Sequence, residues 1–335
     1  MHVRFWGVRG SIPSPLSDDE FRRKISLVLR PAEAVSAARR ERLSYGIKPA
    51  SARGATYGGN TSCVELRQDR SILSLDAGSG IRPLGLRLSS EGVRFEDEPF
   101  FLLVTHYHWD HIQGFPFFEP GYRSGNRIAV YSAMPGLREA LRTQMSSPFF
   151  PKPLDELPAE LTFHRLTEDE AAQLGAFRVH SLKLAHPNHS AGYRVEAGGA
   201  SVVYLTDTEL RAAGPDLLEA TREFCRDADL VIADTQFDRD EARKKADWGH
   251  STIFEFIELL AGIPVGRLAL FHYDPKYSDE TIDQIFSEAL KFLSAHHRDW
   301  SCELMASHEG LELSLPQAPP RSRAASTPPP DATAR

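Results

Sequence analysis

Seven consecutive residues, Thr105-His106-Tyr107-His108-Trp109-Asp110-His111, gather three imidazoles and a carboxylate directly after the apolar run 100–104. Imidazole nitrogens and carboxylate oxygens suit borderline divalent ions: Zn²⁺ first, with Mn²⁺ and Fe²⁺ as alternatives. One ion cannot easily take all four donors from so tight a turn, so the spacing points to two neighbouring metals. Three further donors stand at similar places. His186 follows the run 182–185, Asp207 follows 202–205 and His272 follows 268–271. A lone histidine is more often structural than a ligand. Three candidates that each follow a strand-like run reverse that expectation, because strand ends can converge on one edge of a sheet.

The elements that must position these donors read as alternating strands and helices. Residues 100–104 are short, apolar and rich in Phe and Val, which predicts a buried strand. Further strands are expected over 2–7, 63–67, 71–75, 127–131, 177–184, 193–196, 201–205, 230–233 and 267–271. Helices are expected over 136–145, 215–226, 251–260 and 278–296, the third started by Thr252 with Glu255 in its first turn. Two halves, each of strands followed by helices, predict an α/β fold with two sheets covered by outer helices.

Two stretches depart from that pattern. Between residues 21 and 53 nine Lys and Arg face only Glu33 and Glu41, a basic island in a chain of formal net charge −7. Leu, Ile and Val recur there at roughly helical spacing, so a helical insertion over about 16–54 is expected, either a basic lid or arm over an anionic substrate or an oligomer contact. From Pro316 the chain is Pro-, Ala-, Ser- and Arg-rich, which predicts a disordered tail over 316–335. The segment 112–160 carries Phe115, Phe117, Phe118, Tyr122, Met145, Phe149 and Phe150, read as core packing or as an apolar pocket able to stack a base.

Composition narrows the class. With 335 residues and 41% hydrophobic content the chain can bury a large core. The acidic balance argues against generic electrostatic binding of nucleic acid. Cys63, Cys225 and Cys302 are far apart and form no CxxC, which fits a reducing compartment and argues against a disulfide framework or a thiolate zinc site. No apolar stretch of membrane-spanning length occurs, so a cytoplasmic protein with no membrane partner is expected.

His106-x-His108-x-Asp110-His111 resembles the signature of the metallo-β-lactamase-fold hydrolases. The similarity extends to Phe5-Trp6-Gly7-Val8-Arg9-Gly10-Ser11, Gly58-Gly59-Asn60-Thr61-Ser62, Leu75-Asp76-Ala77-Gly78, Gly192-Tyr193-Arg194, Leu205-Thr206-Asp207-Thr208, Gly249-His250-Ser251-Thr252 and Phe271-His272. Together these resemble the phosphodiesterase branch, which includes transfer-RNA 3′-processing ribonucleases and cyclic-nucleotide phosphodiesterases. The resemblance covers roughly residues 1–15 and 55–315. It implies a four-layer αββα sandwich, one hydrolase domain over 1–315 interrupted by the helical insertion.

The resemblance also implies roles. His106, His108 and His186 would hold one metal; Asp110, His111 and His272 the other; Asp207 would bridge both. His186 is preferred to His189 because the family's ligand histidine stands six residues before the glycine of Gly-Tyr-Arg, and whether His189 lines the pocket stays open. Asp76 matches an acid that orients ligands from behind. Asp110, His250 and Asp234 match the catalytic positions, with His250 as proton donor to the leaving alkoxide and Asp234 orienting it. Two dications can lower the pKa of a bound water and stabilise an in-line displacement.

The implied activity is hydrolysis of a small phosphodiester, such as a 3′,5′-cyclic nucleotide, by a hydroxide bridging two divalent ions. The small substrate is placed first because the chain is acidic and lacks a long basic arm between its second-half strands. The alternative is a metal-dependent ribonuclease on single-stranded or transfer RNA. A thioester or lactone hydrolase and a non-catalytic metal-binding module stand behind these, and a homodimer is left open.

Overall fold

Strands form where the sequence places β-branched and aromatic residues in short runs, and they assemble into two seven-stranded sheets in a computed structural model that describes residues 1–28 and 55–316. The first sheet contains β1 (His2–Gly7), β2 (Cys63–Gln68), β3 (Ser71–Leu75), β4 (Phe100–Leu103), β5 (Arg127–Ser132) and β6 (Glu160–Arg165), and it is closed at the β1 edge by a late strand, Glu312–Ser314. The second contains β7 (Ala172–Leu174), β8 (Phe177–Leu184), β9 (Ser190–Ala197), β10 (Ala200–Leu205), β11 (Ala228–Asp234), β12 (Val265–Phe271) and β13 (Glu303–Ala306); the strand Glu312–Ser314 is then β14.

Each sheet has the same construction. An antiparallel part, β1-β2-β3 or β7-β8-β9-β10, runs into a parallel part, β3-β4-β5-β6 or β10-β11-β12-β13. Parallel strands are buried on both faces and read as continuous apolar runs, which is why Leu102–Val104 and Leu230–Ala233 carry no alternation. The inner faces pack on one another in a core that includes Phe5, Leu66, Leu75, Val202, Val231 and Phe271. A second core lies outside the first sheet, under the helix Ile81–Ser90, with Phe100, Leu102, Phe115 and Phe118. Two sheets flanked by helices confirm the α/β sandwich. Hydrogen bonds from Tyr193 Oη to Val104 O (2.7 Å) and from Ala133 N to Tyr193 Oη (3.2 Å) tie the sheets together, a structural account of the Gly-Tyr-Arg motif.

The helices expected over 136–145, 215–226, 251–260 and 278–296 occur as Leu137–Gln144, Pro215–Cys225, Ile253–Leu260 and Asp279–His296. The helix Ile81–Ser90 and the strands β6, β7, β13 and β14 were not anticipated. The first carries Pro83 and Gly85, which mask its pattern; Pro83 falls in the first turn, where its missing N–H costs nothing. A Cβ on Gly85 would lie 2.9 Å from the Phe118 ring, so glycine there permits the close packing. The four strands are edge or near-edge pieces with polar residues and little alternation. Of the basic insertion, the described part forms the helix Asp18–Val28; residues 29–54 and the expected disordered tail from 317 lie outside the described residues. The aromatic segment divides: Phe115, Phe118 and Met145 are buried, whereas Phe117, Tyr122 and Phe149 are exposed.

Candidate metal centre

The C-terminal ends of the parallel strands carry the centre, the place where open α/β sheets present their functional groups. Asp76 follows β3, the His106–His111 loop follows β4, Asp207 follows β10, Asp234 ends β11 and His272 follows β12. Asp76, Asp207 and His272 all have left-handed backbone, with φ of 61°, 55° and 64°. Non-glycine residues adopt it at a cost of about 1–3 kcal/mol each and persist there where the surroundings hold them.

All seven donors singled out in the sequence come together, in two adjoining groups. In one, His111 Nε2 lies 3.2 Å from Asp110 Oδ2, 3.0 Å from Asp207 Oδ2 and 3.2 Å from His272 Nε2. His272 Nε2 lies 3.1 Å from Asp110 Oδ2 and 3.3 Å from Asp207 Oδ2. Imidazole nitrogens and carboxylate oxygens this close together are the donor types and spacing of a divalent-metal site. The other group is looser. His186 Nε2 stands 3.3 Å from His108 Nδ1 and 4.0 Å from Asp207 Oδ1, and His106 Nε2 lies 3.6 Å from the same oxygen. Asp207 therefore turns one oxygen to each group.

For three of the five histidines the hydrogen bonds made by Nδ1 leave a lone pair on the inward nitrogen of the neutral ring. Asp76 accepts from Thr105 N (2.8 Å), Thr105 Oγ1 (3.0 Å), Tyr204 Oη (3.0 Å) and His111 Nδ1 (2.8 Å). With its proton committed to Asp76 through Nδ1, neutral His111 presents a bare Nε2. His106 Nδ1 lies 3.1 Å from the Thr105 hydroxyl, which is itself donated to Asp76, so His106 Nε2 is bare too. That nitrogen is buried without a hydrogen-bond partner. His186 Nδ1 donates to Gly249 O at 3.0 Å and aims Nε2 inward in the same way. Buried lone pairs converging on a point are costly unless a cation sits among them. The donor set fits a divalent ion in each group, and the burial of an inward histidine by a hydrogen-bonded carboxylate is how metal ligands are oriented.

Burial pushes His106 well below the ordinary imidazole range. Burial also opposes the charge of Asp110 and Asp207, but the facing His111 and His272 outweigh it and hold both carboxyls well below the usual carboxylate range. His111 goes the other way: burial opposes its charge, and the carboxylates of Asp207, Asp110 and Asp76 prevail and raise it. A proton there is the smallest cation that satisfies the group, and a divalent ion supplies the same compensation.

His250 and Asp234 stand beside these donors. His250 Nδ1 donates to Asp234 Oδ2 at 2.9 Å, and the His250 and His272 rings stack with centroids 5.3 Å apart. Asp234 is fixed in turn by Thr208 N (3.2 Å) and Gln236 N (3.0 Å). His189 is exposed, at φ 61°, and joins neither donor group.

Four supporting residues, Ser11, Thr105, Tyr204 and Glu209, carry little or no signal of this role in the sequence. Ser11 N donates to Asp110 Oδ2 at 2.7 Å, from a left-handed backbone with φ 62°. Thr105 and Tyr204 complete the shell of Asp76. Buried Glu209 accepts from Asp247 N (3.2 Å) and Gly249 N (2.9 Å), holding the loop that carries the Gly249 carbonyl. Backbone donors leave no side-chain signal; the run Gly-Ser after β1 was the one hint for Ser11.

Comparison with known proteins gives the same picture. A ribonuclease Z of Bradyrhizobium diazoefficiens is 23% identical over 260 residues, spanning 62% of this chain and 82% of that protein. The metallo-β-lactamase-fold protein YhfI of Bacillus subtilis superimposes with a TM-score of 0.60 at 16% identity, over 93% of this chain and 98% of its own. The short form of human tRNase Z gives a TM-score of 0.58 at 20% identity, over 94% and 100%. The family model described as "Beta-lactamase superfamily domain" matches residues 73–273, from β3 to just past the His272 donor. The chain belongs to the β-lactamase superfamily, among its metal-dependent hydrolases.

Proposed function

We propose that this chain is a two-metal phosphodiesterase that cleaves RNA, carried by one hydrolase domain over residues 1–315. His106, His108 and His186 hold one divalent ion, Asp110, His111 and His272 the other, and Asp207 joins them. The observation that carries the reading is the His250–Asp234 pair set against the two donor groups. A phosphodiester's departing alkoxide takes up a proton, and a protonated His250, held through Nδ1 by Asp234, would supply it. The curated relative that the chain matches over 82% of its length is named ribonuclease Z, and this moves RNA ahead of the small cyclic nucleotide placed first from charge and the lack of an arm.

When bound, two divalent ions supply Lewis acidity and an activated water. The chain's own residues do the rest. Ser11 N fixes Asp110 Oδ2 among the second group's donors. Asp76 holds His111, and through Thr105 His106, in the tautomers that leave lone pairs inward. Asp234 accepts a hydrogen bond from His250 Nδ1–H, so that in the protonated ring Nε2–H is the proton for the leaving oxygen.

The test is turnover of an RNA with a single-stranded 3′ extension by Zn²⁺- or Mn²⁺-loaded protein, beside a panel of 3′,5′-cyclic nucleotides, with Asp110→Ala as the blank. RNA cleavage with the cyclic nucleotides untouched supports the proposal. Turnover of cyclic nucleotides alone returns the small-substrate reading.

A further inference from the structure

Two of the chain's four tryptophans stand in solvent, and both adjoin the metal centre. Trp109 lies between His108 and Asp110 and is 71% exposed; Trp248 lies two residues before His250 and is 62% exposed. The other two are packed: Trp6 is buried with Nε1 on Glu65, and Trp300 donates to Ile263 O. Large aromatics left exposed beside a site mark a surface that something covers.

The two exposed rings are connected through the first donor group. Trp248 is bonded to Gly249, whose carbonyl accepts from His186 Nδ1 at 3.0 Å. His186 Nε2 meets His108 Nδ1 at 3.3 Å, and His108 is bonded to Trp109. Along the chain, then, one exposed tryptophan is bonded to a residue of this donor group and the other to the residue whose carbonyl orients His186.

Trp248 is also deliberately held. Its two neighbours, Asp247 and Gly249, both have left-handed backbone, with φ of 66° and 87°. The carboxylate of buried Glu209 accepts from both their N–H groups, one oxygen each, and so grips the peptide on either side of the exposed ring. Lys245 Nζ lies 5.6 Å from the Trp248 centroid and 4.3 Å from that of Phe237, whose ring meets His250. An ordered backbone that presents a largely exposed indole is a preorganised platform, since the entropy of fixing the loop is not charged to binding.

We propose that Trp109 and Trp248 are stacking faces for the two bases that flank the scissile phosphate, so that the substrate is a base-bearing, single-stranded segment rather than a paired helix. This rests on the phosphodiesterase reading above and deepens it. Every base has a π-face, so stacking on tryptophan reads strandedness more than sequence. Bases inside a duplex are stacked on one another and cannot present those faces. The acidic chain fits such a device, because stacking holds a strand with few phosphate contacts. Glu209 acts through the loop and is a positioning residue.

The experiment uses the full chain, a dinucleoside monophosphate and its abasic analogue. In the metal-loaded wild type kcat/KM favours the base-bearing substrate. Trp109→Ala or Trp248→Ala shrinks that preference about tenfold each, chiefly through KM, and Trp→Phe restores most of it. A preference unchanged in both variants overturns the proposal while leaving the phosphodiesterase reading intact. If the wild type cleaves no phosphodiester, that reading fails, and fluorescence decides the inference alone. A single-stranded oligonucleotide stacking on the exposed indoles of metal-free protein quenches them, whereas the same length of duplex, or of abasic strand, does not; equal or absent quenching overturns the stacking assignment.

Discussion

On the proposed reading His250, a buried imidazole, acts as a proton donor, and its surroundings bear on how it keeps a proton. Burial alone drives the proton off. Asp234 at 2.9 Å, with Asp207 and Asp110 beyond it, outweighs burial and raises the pKa to about 9. Two dications nearby push it back down, so in the loaded enzyme the ionisation lies below 9. The protonated form is the working one, so kcat is expected to fall as pH rises through this ionisation. His250→Ala should lower kcat by about 10²–10⁴-fold and abolish that alkaline limb while metal content stays at two ions per chain. Loss of metal in parallel with activity would make His250 a ligand instead. Asp76 plays the opposite part. It belongs to neither donor group, yet it hydrogen-bonds His111 and, through Thr105, orients His106. Asp76→Ala should weaken metal affinity by about 10–100-fold, read by competition with a chromophoric chelator.

The elements deliver these residues by close backbone approaches, and those approaches can be tested one donor group at a time. A Cβ on Gly249 would stand 2.0 Å from His186 Nδ1, and one on Gly10 would stand 2.5 Å from the His272 ring. Both rings are locked by burial and cannot step aside. Gly249→Ala should therefore weaken the group of His106, His108 and His186, and Gly10→Ala the group of Asp110, His111 and His272. Stoichiometric metal titration should show a different site lost in each. Neither effect is written in a ligand motif, which marks the limit of what the sequence could tell. The donors were legible because residue type and place coincide: His106, Asp207 and His272 each follow a strong apolar run. The parallel strands were legible for the same reason. The strand Glu160–Arg165 and the helix Ile81–Ser90 were not, the one because an edge strand needs no apolar alternation, the other because Pro83 and Gly85 imitate a loop. Glu209 was invisible because its partners are two backbone N–H groups 38 and 40 residues away.

At the scale of the molecule, the centre is a joint between two sheets. His106, His108, Asp110 and His111 leave the first sheet, whereas His186, Asp207 and His272 leave the second. Each donor group takes residues from both, so an ion in either one links the halves. Without ions the compensation falls to a proton on His111 among the carboxylates of Asp207, Asp110 and Asp76, a weaker tie between the sheets than a divalent ion in each group. Metal binding is therefore folding free energy as well as catalytic equipment. At free metal a thousandfold above Kd, each site contributes roughly 4 kcal/mol, provided the unfolded chain binds little. A chelator should then lower Tm by several degrees or more, in one transition if the sheets unfold together. Asp207→Asn separates this linkage from a local effect, because Asp207 belongs to both groups. In that variant the Tm gap between metal-loaded and chelated protein should shrink by more than in Asp110→Ala, which touches one group. Equal shrinkage in the two variants would show that the ions stabilise their own loops and leave the sheets to be joined by the apolar core.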